Sequence, residues 1–367
     1  MESYKEELFK KIRRIPLLLP STISLVSLYG FIILYSAAGG NINPWAYKQI
    51  MISFTLVPII FLIAMLDIKI IYHFSYIFYF FTVIILIVVV FAGKTAMGAT
   101  RWLDLGFITI QPSELVKISI ILMLSRYFHN YDFKNSSDFK LVIPLFASIF
   151  PIMLVIKQPD LGTGMITLMV VLVMFLLAGV RIIYFILSGI LSLALMPVIW
   201  LMLHDYQRNR VLTYLNPERD PLGTGYNIIQ SKISIGSGGL FGKGLLSGTQ
   251  GPLSFLPEYQ TDFIFAFLAE ELGFVGGIIL LILYSLIIIQ SLLISISCKS
   301  RFARLMCAGV TSLFFCHVFI NIAMVMDLVP VVGVPLPLIS YGRTMMASIL
   351  IGFGLIMNAA VNSKNNI

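Results

Sequence analysis

The sequence predicts an all-α polytopic membrane protein with about ten transmembrane helices, and three observations lead to this fold class. Of the 367 residues, 59% are apolar and only 11% are charged. The mean hydropathy is +0.96, far above that of soluble domains. The charged residues are gathered in short segments between long apolar runs. Because a soluble domain needs charge to cover its surface, we predict a single membrane domain covering residues 1–367.

Ten apolar runs approach the roughly 20 residues needed to cross the hydrocarbon core. The predicted spans are 17–38, 46–66, 70–92, 113–128, 141–157, 161–179, 182–202, 263–293, 303–326 and 342–360. The fourth and fifth are short and the eighth is long, so nine or eleven spans remain open. Two segments lie outside the spans, a long hydrophilic loop at residues 203–261 and a Pro-rich segment at residues 327–342. Three prolines within eight residues of the latter predict an irregular re-entrant segment.

Lysines and arginines near the span ends set the predicted orientation. Five of them precede the first span, and others flank later spans on the same side. This excess places residues 1–14 and the C-terminus in the cytoplasm, and residues 203–261 and 327–342 on the outer side. The net charge of +8 suits anionic membrane lipids, and no basic and aromatic platform indicates nucleic-acid binding.

A first polar motif begins at Arg101 and runs into the fourth span. Pro112 suits the first turn of that helix, and Ser113 can contribute to its cap. Glu114 and Lys117 follow one turn apart on one face. Two interpretations of this pair stay open: the charges neutralise each other inside the membrane, or they orient a substrate phosphate or a catalytic group.

A second polar motif is the tight Lys-Gln-Pro-Asp turn between the fifth and sixth spans. Pro159 and the glycines after it fit a hairpin between helices. They do not explain why two charged residues, Lys157 and Asp160, stand where the two spans meet. Lys157 is a candidate phosphate contact, and Asp160 is a candidate partner for it or a cation ligand.

The long hydrophilic segment carries the candidate cations Arg208, Arg210, Lys232 and Lys243. Its Gly-rich run at 236–244 is not a nucleotide P-loop, because no Ser or Thr follows Lys243 and no strand, turn and helix unit surrounds it. We expect the glycines to allow close backbone packing over a site. Lys232 and Lys243 are candidates for pairing with pyrophosphate oxygens.

A carboxylate, Asp262, stands between this segment and the eighth span. It is a candidate general base at the membrane surface, and the alternative is a helix N-cap. Partial burial would raise its pKa and nearby cations would lower it, and the sequence leaves this balance open. Glu270 and Glu271, two turns further along, are expected mainly to be structural partners of basic residues.

Taken in this order, these segments resemble the SEDS family of polytopic cell-wall polymerases from about residue 15 to residue 360. Five short runs resemble the rod-elongation branch of this family in particular. They are Ala38-Gly39-Gly40, Pro44-Trp45-Ala46, Arg101-Trp102-Leu103-Asp104-Leu105-Gly106, Gln230-Ser231-Lys232 and Gly248-Thr249-Gln250. The resemblance implies a peptidoglycan glycosyltransferase that polymerises lipid II into glycan strands at the outer face of the bacterial cytoplasmic (inner) membrane, during elongation and shape maintenance. It also implies a class B penicillin-binding protein as the crosslinking partner, within the elongation machinery.

The resemblance assigns roles to individual residues. The family's essential loop aspartate falls on Asp262, its conserved arginine on Arg101, its helix-start Glu and Lys on Glu114 and Lys117, and its Lys-Gln-Pro-Asp turn on residues 157–160. One position departs from the family pattern, because Arg343 stands after Gly342 where a second Gly is usual.

Sugar transfer from a lipid pyrophosphate needs a base for the acceptor hydroxyl and positive charge for the departing pyrophosphate. Asp262 is the candidate base for an inverting transfer. The substrate-binding candidates are Arg101, Glu114, Lys117, Lys157, Asp160, Arg208, Arg210, Lys232 and Lys243. No sequence feature establishes a cofactor. A divalent cation (Mg²⁺ or Mn²⁺) at Asp160 or Asp262 stays open, although no ligand spacing demands one. The alternatives are a lipid II flippase, a non-catalytic scaffold, and the same chemistry in cell division.

Overall fold

The computed structural model describes residues 11–96, 99–104, 106, 109–131, 138–202, 205–220, 223–251 and 255–364. The helices are α1 (Leu18–Ala37), α2 (Trp45–Met65), α3 (Ile68–Ala92), α4 (Pro112–His129), α5 (Val142–Lys157), α6 (Leu161–Ala178), α7 (Ile182–Ala194), α8 (Met196–Met202), α9 (Asp205–Leu215), α10 (Thr224–Gly238), α11 (Ile264–Ser297), α12 (Arg301–Val325) and α13 (Arg343–Val361). Strands β1 (Lys94–Ala96), β2 (Ala99–Asp104) and β3 (Thr109–Ile110) precede α4, and 3₁₀ turns cover Asp138–Leu141 and Pro217–Arg219. Residues 1–10 of the predicted cytoplasmic start lie outside the described residues, as do 203, 204, 221, 222 and 252–254 of the hydrophilic segment.

Eight helices in the described part of the chain are long and apolar enough to cross a membrane, which confirms the all-α polytopic class. Two of the ten predicted spans fall outside this set. The helix α4 carries the charged residues Glu114, Lys117 and Arg126, and the seventh span is divided at Leu195 into α7 and α8. Pro197 in the first turn of α8 explains the division, because proline lacks the N–H that would continue α7. The count of ten therefore stays a prediction.

A small antiparallel sheet, which was not predicted, links α3 to α4. Its strand order is β1-β2-β3, with Thr95 opposite Thr100 and Leu103 opposite Ile110. The strands have three, six and two residues, which is too short for an alternating pattern to be recognised. Because Arg101 lies in β2, the sheet fixes the backbone position of this residue.

The hydrophilic segment, which the sequence predicts as a long loop between spans, is mostly helical where it is described. It forms α9, a 3₁₀ turn and α10. The helix α10 packs on two spans, because Ser234 Oγ donates to Ala266 O of α11 (3.1 Å) and Ser231 Oγ donates to Val325 O of α12 (2.7 Å). Ile228, also in α10, is buried. The segment is thus anchored to the ends of α11 and α12.

The helix α11 is broken at Gly273, whose φ of 66° and ψ of −164° are not helical. Residues 239–244 of the Gly-rich run supply hydrogen bonds at the break. Lys243 N donates to Glu270 O (3.0 Å), Gly244 N to Glu271 O (2.9 Å), Phe274 N to Gly239 O (2.9 Å) and Val275 N to Leu240 O (3.0 Å). The glycines therefore allow close backbone packing, as expected, and they pack against the break in α11. Unpaired backbone N–H and C=O groups would be costly there.

Replacing Gly242 by Ala is expected to destabilise the protein by about 1–3 kcal/mol. A Cβ at this position would lie 2.1 Å from Glu271 O, and its φ of +79° also disfavours a side chain. The measurement is the unfolding midpoint of the purified protein in detergent. Gly189→Ala in α7 is the matched control, because its Cβ meets nothing within 4 Å and Ala favours a helix. Equal midpoints for Gly242→Ala and the parent would contradict the packing described above.

Candidate active site

Asp262 lies just before α11, on a turn whose amides at Thr261 and Phe263 donate to Glu258 O. The N-cap of α11 is Phe263 and no side chain caps the helix, so the N-cap interpretation of Asp262 is wrong. The Asp262 carbonyl accepts a hydrogen bond from Asn321 Nδ2 of α12 (2.8 Å). The backbone of Asp262 is thus held by α12, and its carboxylate is not used as a cap.

The Pro-rich segment, residues 327–342, has no regular secondary structure and packs against this turn. Ser340 Oγ donates to Thr261 O (2.5 Å). A Cβ at Gly333 would lie 3.2 Å from Asp262 Oδ2, so the backbone of the segment runs beside the carboxylate. The segment therefore forms a wall of the candidate site, as predicted, while its re-entrant course in a membrane stays a prediction.

Burial raises the pKa of Asp262 from its ordinary value of 3.8 to about 7. The negative charges of Glu258 and Asp160 also raise this pKa, whereas the positive charges of Arg210 and Arg101 lower it. Burial therefore outweighs the cations, which answers the question that the sequence left open. A carboxylate whose pKa is near 7 suits general base catalysis close to neutral pH.

Arg101 contacts the Lys-Gln-Pro-Asp turn. Its guanidinium donates to Gln158 O (3.3 Å) and to Pro159 O, and its Nη1 lies 4.0 Å from Asp160 Oδ1. Asp160 also accepts from Gln111 Nε2 (2.9 Å) and caps the first turn of α6. The two polar motifs are therefore brought together, and the partners of Asp160 are Arg101 and Gln111 rather than Lys157.

The start of α4 differs from the prediction in one respect. Pro112 occupies the first turn, as expected, but the N-cap position belongs to Gln111. Ser113 makes no capping hydrogen bond, and its hydroxyl is buried without a partner among the described residues. The cap prediction failed because Gln111 holds the N-cap position while its side chain binds Asp160.

Glu114 and Lys117 form a buried ion pair inside the helix bundle. Lys117 Nζ lies 2.7 Å from Glu114 Oε1 and 2.8 Å from His317 Nε2 of α12. Ser348 Oγ of α13 donates to Glu114 Oε2 (2.9 Å). The exposed fraction is 1% for the Lys117 side chain and 6% for that of Glu114. The two charges therefore neutralise each other, and the pair joins three helices.

Two lysines of the hydrophilic segment are paired with carboxylates. Lys243 Nζ lies 2.6 Å from Glu270 Oε1, and this pairing confirms the structural role expected for Glu270. Lys232 pairs with Asp327 at the beginning of the Pro-rich segment. Lys243 thus connects the hydrophilic segment to α11, and Lys232 connects it to the Pro-rich segment.

The remaining candidate cations have different surroundings. Arg208 donates to carbonyls near the end of α8 (2.9 and 2.7 Å), whereas Arg210 is close enough to Asp262 to lower its pKa. Lys157 is exposed at the end of α5 and makes no hydrogen bond or ion pair with the described residues. Arg343, which departs from the family pattern, donates to a hydroxyl of β3 (3.3 Å).

Three buried side chains hold the site together and were not singled out from the sequence: Asn321, Ser340 and Ser348. Buried polar groups must find hydrogen-bond partners, so a lone polar residue inside an apolar span is a signal that could have identified Asn321 and Ser348. Ser340 lies in an irregular segment, where no periodicity marks burial.

Within the residues that the structure describes, no group of three or more His, Cys, Asp or Glu side chains is placed to hold a metal ion. Asp160 is bound by Gln111 and by the first turn of α6. The divalent cation that the sequence left open therefore has no ready set of protein ligands in this part of the chain.

The fold and the site together define a polytopic helical membrane protein with a half-buried acid beside an irregular Pro-rich wall. The charges of two arginines act to lower the pKa of this acid. The chain belongs to the FtsW/RodA/SpoVE family of cell cycle proteins, whose family model matches residues 16–365. This match confirms the family that the motifs indicated.

Individual proteins support the same assignment. The chain is 42% identical to the peptidoglycan glycosyltransferase MrdB of Escherichia coli K12 over 361 residues, which is 98% of this chain and 97% of that protein. It matches a solved structure of the rod shape determining protein RodA of Thermus thermophilus at 25% identity and a TM-score of 0.72, covering 95% of this chain and 97% of that one. A chain from a peptidoglycan synthase complex that coordinates polymerization and crosslinking matches at 29% identity and a TM-score of 0.81, with coverage of 93% and 96%.

Proposed function

We propose that this chain is a peptidoglycan glycosyltransferase that polymerises lipid II into glycan strands during cell elongation and shape maintenance. The observation that carries the proposal is the pKa of Asp262, which burial raises to about 7 although the charges of Arg101 and Arg210 act to lower it. The 42% identity to a protein named as a peptidoglycan glycosyltransferase supports it. A base and fixed positive charge are the two requirements of transfer from a lipid pyrophosphate.

In the proposed reaction, the acceptor 4-hydroxyl attacks the anomeric carbon of the donor sugar. The new glycosidic bond forms as the bond between that carbon and the pyrophosphate oxygen breaks, so the configuration inverts. The hydroxyl proton passes to the Asp262 carboxylate, and undecaprenyl pyrophosphate leaves with the bonding electrons. Arg101, Arg210 and the exposed Lys157 are the cations proposed to bind this pyrophosphate.

The other cations are proposed to have structural roles. Lys232 and Lys243 are already neutralised by Asp327 and Glu270, and Arg208 binds backbone carbonyls near the end of α8. A lysine paired with a carboxylate has less charge to offer a pyrophosphate than one without a partner. These three residues therefore rank behind the exposed Lys157, and behind Arg101 and Arg210, whose charges lower the pKa of Asp262.

We further propose that the chain lies in the bacterial cytoplasmic membrane, with both termini in the cytoplasm and residues 203–261 outside. The basic residues ahead of α1 support this orientation. The proposed partner is a class B penicillin-binding protein, which crosslinks the strands within the elongation machinery. The similarity to a chain of a synthase complex that coordinates polymerization and crosslinking supports this partner.

Purified lipid II provides the test of this function. The chain is reconstituted in vesicles with its class B partner, whose transpeptidase serine is inactivated, and is expected to produce uncrosslinked glycan polymer. A flippase would instead move labelled lipid II between leaflets without making polymer, and a scaffold would do neither. An equal amount of polymer from the partner alone would overturn the proposal.

The rate of polymerisation should have an acid limb near pH 7. The base acts in its ionised form, so the rate falls as the pH drops below the Asp262 pKa of about 7. Glu258→Gln removes a charge that raises this pKa and should move the limb to lower pH, whereas Arg210→Gln should move it to higher pH. The measurement is kcat/KM against pH for the three proteins. A shift in the same direction for both variants would contradict the assignment of this limb to Asp262.

A further inference from the structure

The turn that carries Asp262 is bound from outside at three successive carbonyls. Residues 260–262 precede α11, so their carbonyls must find partners away from that helix. Each of the three accepts one hydrogen bond. The donors are, in chain order of the carbonyls, Tyr341 N (2.9 Å), Ser340 Oγ (2.5 Å) and Asn321 Nδ2 (2.8 Å). The backbone beneath the carboxylate is therefore fixed by the groups around it.

Asn321 differs from the other two donors, because it lies in α12 rather than in the Pro-rich segment. Its side chain is 0% exposed. Its Nδ2 donates to Asp262 O (2.8 Å) and also to Val334 O of the Pro-rich segment (2.6 Å). A side-chain amide nitrogen has two protons, so both are used, and two carbonyl acceptors determine which end of the amide faces them. One side chain of α12 thus binds the backbone of the acid and that of the wall.

The bond to Val334 determines the space around the carboxylate. Gly333, the residue before Val334, is where a Cβ would lie 3.2 Å from Asp262 Oδ2. Val334 is itself 2% exposed. Without the Asn321 amide, the carbonyls of Asp262 and Val334 would each lose a donor, which is costly for buried backbone groups. The distance between the acid and this part of the wall would then no longer be set by a common partner.

Other side chains hold the wall further along the chain. Tyr284 of α11 donates to Pro337 O (2.6 Å), and Gln49 of α2 donates to Ser340 O (2.9 Å). These contacts keep the wall on the helix bundle, whereas Asn321 binds the stretch beside the acid. Loss of the Asn321 amide should therefore shift the site locally, with the wall as a whole retained.

We propose that Asn321 is a positioning residue for Asp262, which sets the distance between the acid and the Pro-rich wall by binding one backbone carbonyl of each. It touches neither the substrate nor the reacting atoms. This inference rests on the proposed function for its kinetic test alone, because the hydrogen bonds that carry it are structural.

Asn358 of α13 provides a matched control. It is also 0% exposed, and its Nδ2 donates to the carbonyls of Ile63 and Leu66 at the end of α2 (2.8 and 2.7 Å). In both asparagines Oδ1 is buried without a hydrogen-bond partner among the described residues. Replacing either one by Leu removes an amide that binds two carbonyls, so both variants lose the same kind of contact. Only Asn321 binds the residue of the proposed base.

The kinetic test compares Asn321→Leu and Asn358→Leu in the complex reconstituted with the class B partner. We expect Asn321→Leu to lower kcat by at least roughly 10-fold, since misplacing a catalytic group by about 1 Å costs up to about 100-fold. KM should change little, because the cations proposed to bind the pyrophosphate are untouched. Asn358→Leu should keep nearly the parental kcat. Parental kcat in Asn321→Leu, or an equal loss in both variants, would overturn the proposal.

Hydrogen–deuterium exchange of the same proteins tests the inference without any chemistry. Exchange in residues 258–263 and 330–341 should be faster in Asn321→Leu than in the parent, because the turn and the wall lose their common partner. Asn358→Leu should exchange like the parent in both segments. Equal exchange in these segments for all three proteins would overturn the proposal.

The two tests separate the inference from the function on which its kinetics rest. A parent complex that makes no glycan would count against the proposed function, while the exchange measurement would still decide the role of Asn321. Should Asn321→Leu fail to fold, Asn321→Ser takes its place with Asn358→Ser as its control, because a hydroxyl has one proton and cannot donate to both carbonyls. Parental exchange in Asn321→Ser would overturn the proposal as well.

Discussion

Replacing Asp262 by Asn should lower the rate of glycan polymerisation by roughly 10²–10⁴-fold, the contribution typical of a general base. The amide has nearly the shape of the carboxylate and keeps the backbone carbonyl that accepts from Asn321, but it cannot take the acceptor proton. The measurement is the initial rate of polymer formation from lipid II in the reconstituted complex. Binding of lipid II, measured separately, should change little, because the pyrophosphate contacts are proposed for Arg101 and Arg210.

Two controls distinguish a loss of chemistry from a loss of structure. Burial disfavours the ionised form of Asp262 in the folded protein, since its pKa is raised to about 7. The neutral amide removes this cost, so above pH 7 Asp262→Asn should unfold at the same or a higher temperature than the parent. Asp205→Asn changes a carboxylate whose side chain is 95% exposed, and it should keep the parental rate. Parental polymerisation by Asp262→Asn would remove this residue from catalysis.

Lys117→Met should destabilise the fold by about 3–5 kcal/mol, because it leaves the Glu114 carboxylate buried without its cation. Methionine fills most of the space of the lysine stem, so the loss reports the charge more than a cavity. Ser348 Oγ still donates to Glu114, but a single hydroxyl does not replace an ammonium. The measurement is the free energy of unfolding of the purified protein in mixed lipid and detergent micelles.

A double substitution makes this test specific to the pair. Glu114→Gln with Lys117→Met removes both charges, so most of the lost stability should return, and the cycle gives the coupling energy. Lys243→Met is the comparison, because Glu270 keeps the amides of Thr249 (2.8 Å) and Gln250 (3.2 Å) as donors. Its loss should therefore be smaller. Equal losses for the two lysine variants would show that these amide donors do not compensate for the lost cation.

The positions of the spans were predictable because the thickness of the hydrocarbon core fixes their length. The sixth predicted span, 161–179, corresponds to Leu161–Ala178 in the structure. The division at Leu195 was missed, because Pro197 lies in a run that is apolar and long enough to cross without a break. The strands β1 to β3 were missed because two to six residues carry too little periodicity, and their pairing is a tertiary property.

The candidate residues of the site could be named from the sequence, but their pairings could not. Asp262 and Arg101 were identified from their motifs, and the charge of Arg101 does lower the pKa of Asp262. The sequence left two interpretations of Asp160 open, a partner of Lys157 or a cation ligand, yet β2 brings Arg101 there instead. The pairing of Lys243 depends on a contact across 27 positions, which a single sequence does not reveal.

Gly273 divides α11 into a short piece, residues 264–272, and a longer piece, residues 274–297. Asp262 lies just beyond one end of the short piece, and residues 239–244 meet its other end. Because residues 239–244 bind backbone groups on both sides of Gly273, they join the two pieces at the break. The helix α10, which continues into residues 239–244, also binds the short piece at Ala266. The placement of Asp262 therefore depends on the hydrophilic segment as well as on the spans.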